Sequence, residues 1–192
     1  MTKSPASQIP DFVGELRNTT RTIALWRQKA SEFGQPPPRS AFNFSRMTDR
    51  YWAYCFLIGA DALGAHGKLL VCGLEFARLL ELPETAAVGA PLASQLPARY
   101  ARLFAEGCRA ALAQEKPIRV SGIVGQAAGA IELYRAAFLA LAKEPNSSTR
   151  FIFGSFNSRI CSKVSASGTF RHIHNWLGED IQLRVRPEAS IS

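Results

Sequence analysis

The chain has 192 residues, 47% of them hydrophobic and 20% charged, with a formal net charge of +8. That describes one domain with extensions and enough apolar content for a single sizeable core. The longest apolar run, near Tyr51 to Ala60, is too short to span a bilayer, and Met1 to Pro5 lacks the apolar stretch of a secretion signal. A soluble, cytoplasmic protein with no membrane contact is expected.

The leading segment carries the clearest periodicity. Phe12, Leu16, Thr19, Ile23, Trp26, Ala30 and Phe33 step by four, three, four, three, four and three residues, which keeps one helical seam in register. Pro10 is placed to open this helix, Gly34 to cap it, and Pro36, Pro37 and Pro38 to stop it and serve as a stiff connector. Two arrangements bury the seam. One is a dimer or docking helix through Phe12, Leu16, Ile23, Trp26 and Phe33; the other folds the helix back on the sheet of its own chain.

Tyr51 to Ile58 is aromatic and apolar without Gly or Pro and predicts a first strand, and Lys68 to Cys72 returns as a second after a Gly/Ala-rich turn. Alternation sets Trp52, Tyr54, Phe56 and Ile58 on one face and Ala53, Cys55 and Leu57 on the other. Gly73 to Leu80 switches to helical spacing and closes before Pro83. A longer helix opens at Pro97, with Leu96, Tyr100, Leu103, Phe104, Ala111 and Leu112 near one face. Strands follow at Pro117 to Gln126, Ile131 to Ala142 and Arg150 to Ile160, turned at Gly125 to Gly129 and Glu144 to Ser148. The expected fold class is α+β: one five-stranded antiparallel sheet, with helices inserted after the second strand and covering its concave face.

Gly73 to Leu80, Val88 to Leu92 leading into Leu96 to Tyr100, Glu132 to Phe138 and Phe151 to Phe156 resemble a PAS domain. With Trp26 in the leading helix, the likeness is to single-domain bacterial, in particular proteobacterial, PAS proteins that carry a tryptophan-containing helix ahead of the module. The resemblance spans residues 20 to 160 in element order and texture. It implies a sensory or protein-interaction module that signals through a partner protein, as a homodimer, with no output enzyme on the chain. The division that goes with it is an N-terminal helix and Pro-rich connector over 1–38, the PAS-like domain over 39–162 and a basic tail over 163–192. No ligand-binding residue is fixed across PAS domains, so the resemblance supplies no site.

A small-molecule ligand would lie between the inner sheet face and the helices. Phe76, Tyr100 and Phe104 are the candidate walls, and Tyr54, Tyr134, Ser155 and Asn157 the polar groups able to orient it. A fully packed core without a cavity is the competing arrangement. Haem needs an axial ligand, and none of His66, His172 and His174 lies on the Pro97 helix, where the resemblance would place one. Cys108 lies there, but Glu106, Gly107 and Arg109 around it do not resemble the Asn-Cys-Arg motif of flavin photosensors. Haem and flavin are both disfavoured and the cofactor is left open. His172 and His174 supply only two ligands, so no metal site is assigned. Cysteines 55, 72, 108 and 161 have no Cys-x-x-Cys spacing, which argues for reduced, mostly buried thiols.

No catalytic residue is assigned, because the common nucleophile, zinc and phosphate-loop motifs are missing from the sequence. The enzymatic alternative is a cone of the ketosteroid-isomerase type, with Asp61 or Glu132 as base and Tyr54 or Tyr134 as oxyanion donor. Two strands ahead of the helices count against it. With Asp61 in a turn and Glu132 opening a strand near solvent, Asp61→Asn, Glu132→Gln and Cys108→Ser are each expected to shift stability by about 1 kcal/mol or less. The third alternative is a nucleic-acid-associated regulator using Arg159, Lys163, Arg171, Arg184 and Arg186 around Phe170 and Trp176. Dispersal of the other basic residues disfavours it.

Overall fold

The computed structural model describes residues 18–46, 52–61, 67–82, 89–125, 131–145 and 147–161. Its strands are β1 (Cys55–Ala60), β2 (Lys68–Cys72), β3 (Ile118–Gly125), β4 (Ile131–Ala140) and β5 (Arg150–Cys161), and its helices α1 (Asn18–Phe33), α2 (Leu74–Leu79), α3 (Leu92–Gln95) and α4 (Ala98–Gln114). The strands form one antiparallel sheet in the order β2-β1-β5-β4-β3. All three helices α2 to α4 fall between the second and third strands, so the expected α+β, PAS-like architecture is the observed one.

Both faces of the sheet are covered, which explains why β4 reads as an almost unbroken apolar run from Ala136 to Ala140. Phe56, Ile58, Ala136, Phe138, Ala140, Ile152 and Phe156 face α2 to α4. Cys55, Leu57, Ala137, Leu139, Phe151 and Phe153 face the other way, toward α1. Helix α4 meets the inner face through Tyr100, Leu103, Phe104, Cys108, Ala111 and Leu112, a stripe that recurs every three to four residues. Gly107 lies in that stripe with no side chain, and the Phe138 ring occupies the space a Cβ would need.

The leading helix folds back on its own chain. Thr19, Thr22, Ile23, Trp26 and Ala30 are buried against the outer face, and the Trp26 indole N–H donates to the Ala140 carbonyl at 2.8 Å. Gly34 ends α1 at φ +105°, a left-handed conformation that costs glycine little, and its N–H reaches the Ala30 carbonyl at 3.0 Å. The connector then runs along the sheet: Ala142 N–H donates to the Pro37 carbonyl at 2.9 Å. Phe42, Phe44 and Trp52 close over Phe153 with ring centroids 5.2, 5.5 and 5.6 Å from it. Burying each such ring contributes on the order of 1.5–3 kcal/mol.

Two expectations change here. The first strand begins at Cys55 because residues 52–54 form a turn, so alternation does not reach Trp52, which packs with the outer cluster and not beside Phe56. Phe33 leaves the predicted seam and is 58% exposed, with Lys29 Nζ 5.6 Å from its ring centroid. Phe12 and Leu16, like Tyr51, lie outside the described residues. So do the Gly125 to Gly129 turn beyond Gly125, both tail histidines, Lys163, Arg171, Arg184, Arg186, Phe170 and Trp176.

Candidate functional site

Aromatic rings pack against one another between the inner sheet face and α2 to α4. Phe56 lies 5.0 Å from Phe76, 5.4 Å from Phe104 and 5.7 Å from Phe138, measured between centroids. Tyr100 meets Phe156 edge-on at 4.9 Å and Tyr134 at 5.9 Å. Tilted and edge-to-face pairs at these separations add about 0.5–1.5 kcal/mol each beyond burial.

Of the seven proposed ligand-site residues, the structure brings together four: Phe76, Tyr100, Phe104 and Tyr134. Tyr54 stays half-buried in the turn before β1, where its carbonyl accepts the Phe156 N–H at 3.0 Å. Ser155 and Asn157 belong to the opposite face. Ser155 stands level with Cys55 and Ala137, both outer-face residues, and Asn157 follows two positions on, level with Arg135. The period-2 rule applied from Phe156 separates them from the helix side, and that signal was available once the facing of one β5 residue was known.

Sequence reasoning missed the polar group at the rim of the aromatic core. Glu132 does not sit near solvent: its side chain is 4% exposed, with Oε2 3.4 Å from Arg99 Nε. Arg99, 30% exposed, also places Nη2 2.7 Å from Glu81 Oε1. The Tyr100 hydroxyl is buried beside this pair without meeting hydrogen-bond geometry. Burial, and then the Glu132 carboxylate next to it, raise Tyr100 above the ordinary phenol range. Even position 132 faces the helices with Tyr134 and Ala136, so the alternation of β4 pointed to this burial. Charge at a strand's second residue argued for solvent instead.

The two alternative candidate bases, Asp61 and Glu132, lie far apart. Asp61 follows Ala60, which pairs with Arg150 at one end of the sheet, whereas Glu132 pairs with Ile160 at the other. The ten positions of β5 from Ile160 to Arg150 set the two candidate bases roughly 33 Å apart along the strands, in separate surroundings. Burial pushes the Cys55 thiol up to about 11 and Cys108 up to about 12, and raises Cys72. Such thiols stay protonated and are weak nucleophiles. Among the described residues no group of three His, Cys, Asp or Glu side chains could hold a metal ion, and no helix is long and apolar enough to cross a membrane.

Several basic side chains are matched by acids on the surface. Arg39 pairs with Glu144 at 2.9 Å, Arg78 with Glu75 at 2.6 Å, Arg150 with Glu115 at 2.7 Å and Lys29 with Glu32 at 2.7 Å. Exposed pairs of this kind add little stability but dilute any positive patch.

No family model matches the chain, and no curated protein matches it. Among solved structures it is similar to the PAS domain of BvgS from Bordetella pertussis, at 15% identity and a TM-score of 0.39, over 64% of this chain and 86% of that one. It is also similar to the PAS domain of an HTR-like protein from Haloarcula marismortui, at 12% identity and a TM-score of 0.36, over 69% and 98%. The light-state dimer of the fungal blue-light photoreceptor Vivid matches at 14% identity and a TM-score of 0.34, over 56% and 77%. The fold assignment rests on the strand order and the inserted helices described above.

Proposed function

We propose that this chain is a PAS-type sensory or protein-interaction module of the single-domain bacterial kind. It is cytoplasmic, has no output enzyme of its own, works as a homodimer and signals through a partner protein. The observation that carries the reading is the five-stranded order β2-β1-β5-β4-β3 with three helices inserted after β2. The close ring packing of Phe56, Phe76, Phe104 and Phe138 on the inner face supports protein contacts over a resident ligand as the means of signalling. Phe33, Leu74 and Ile160 are exposed large apolar side chains that an interface would cover.

Native mass spectrometry of the full chain tests this directly. A homodimer mass with no added small molecule is expected. A monomer at tens of micromolar removes the homodimer from the proposal, and a stoichiometric small molecule carried through purification replaces the packed module with a ligand sensor.

A further inference from the structure

Arg99 stands where three separate stretches of chain meet. It lies in the first turn of α4, it reaches Glu81 just beyond α2, and it reaches Glu132 on β4. Its guanidinium also lies 5.1 Å from the ring centroid of Tyr100, which is itself fixed against Phe156 and Tyr134. Glu81 holds φ +52°, a left-handed conformation that a residue with a side chain keeps only when its surroundings impose it.

Helix α2 is built like a hinged lid. Its near end is tied to the chain entering β1, by Gly73 N–H to the Cys55 carbonyl and Phe76 N–H to the Ala53 carbonyl, both at 2.9 Å. Its body is six residues long and buries Phe76 alone, too short to be stable without tertiary support. Its far end is held by Leu80 and by the bridge from Glu81 to Arg99. Helix α4, by contrast, buries seven residues and belongs to the rigid body.

The geometry points to Arg99 as a clasp that closes α2 onto the sheet, with Glu132 as its buried anchor and Glu81 as its catch, so that α2 opens as a local unit when the clasp is released. Removing Arg99 takes one charged partner from the buried Glu132 carboxylate at the seam between α4 and β4. Loss of Arg99 therefore favours entry of water at the rim, where the far end of α2 sits. The device would serve the sensory role proposed above but does not depend on it.

Hydrogen exchange followed by mass spectrometry on the full chain decides the matter. Arg99→Met is expected to speed exchange of the Phe76 to Leu82 amides by about tenfold or more beyond the rise shared by the amides of α1, β4 and β5, which follows the loss of global stability alone. Glu81→Gln leaves the Arg99–Glu132 contact in place and is expected to speed the same amides by about threefold, as suits an exposed pair. Arg99→Lys should restore part of the protection. A rise of the same size over α2, α1 and the sheet would show an ordinary contact of one cooperative core and overturn the clasp, as would unchanged α2 rates in both Arg99→Met and Glu81→Gln. If Arg99→Met does not fold, Glu81→Gln alone carries the decision.

Discussion

The Trp26 indole N–H and the Ala140 carbonyl meet at 2.8 Å, joining the helix that precedes the domain to the last residue of β4. Trp26→Phe keeps most of the buried ring area but leaves that carbonyl without its indole donor and opens a small void. A loss of about 1–3 kcal/mol is expected, read as a lower urea midpoint at unchanged slope.

Removing residues 1–38 strips the outer face of its cover. The outer cluster loses Ile23, Trp26 and Ala30, and Leu139 and Leu141 then meet water beside the ring cluster that Phe42, Phe44 and Trp52 keep over Phe153. The truncated chain is expected to aggregate or bind a hydrophobic dye, measured by light scattering and dye fluorescence. A soluble, folded truncated monomer would mean that α1 contributes little to this face.

Glu132→Gln and Asp61→Asn, expected from sequence to behave alike, should part company. The buried Glu132 loses its charge interaction with Arg99, which keeps Glu81. Because Arg99 remains partly solvated, the cost is expected near about 1–3 kcal/mol, below the range for fully buried pairs. Asp61→Asn should stay within about 0.5 kcal/mol. Parallel chemical denaturation of the two variants compares them directly.

Gly107→Ala pits helix propensity against packing. In an isolated helix the change would stabilise by roughly 1 kcal/mol. Here the new Cβ would enter the Phe138 ring, and overpacking of this kind costs about 1–3 kcal/mol. A net loss in melting temperature is expected; a gain would show that α4 can shift away from β4.

Alkaline titration should find the buried thiols. Cys108 is held up to about 12 and Cys55 up to about 11, against an ordinary value of 9.0. The unfolded chain therefore releases these protons first. The stability that this difference supplies is whole below about pH 9 and is lost as pH rises through the folded values, at up to about 1.4 kcal/mol per pH unit for each thiol. Cys108→Ala should cost some stability at pH 7 and show a shallower decline above pH 9, so the two denaturation curves converge.

Much of the fold was legible because its elements obey simple periods. The 3.6-residue stripe on α4 and the turn chemistry between β4 and β5 located those elements within a residue or two, and β2 matched its predicted range of Lys68 to Cys72. Helix α3, four residues long, has no period to read, and the turn at 52–54 is aromatic enough to pass for strand. The site was less legible for a different reason. Alternation says which residues share a face, but the facing of Ser155 and Asn157 depends on what covers each side of the sheet. The buried Glu132 is paired with Arg99, thirty-three positions earlier in the chain, which no local pattern announces.

Strand β5 lies between β1 and β4, although it is the last of the five along the chain. Ala60 pairs with Arg150 and Cys55 with Ser155, so the joint between the two halves of the sheet closes over some ninety residues. During synthesis the β1–β2 and β3–β4 pairs reach the solvent first, each with apolar residues on both faces and no common partner. The domain becomes one body only when residues 150–161 have left the ribosome. A translational pause before Arg150 would hold two sticky hairpins in the open, where a nascent-chain chaperone would find its substrate.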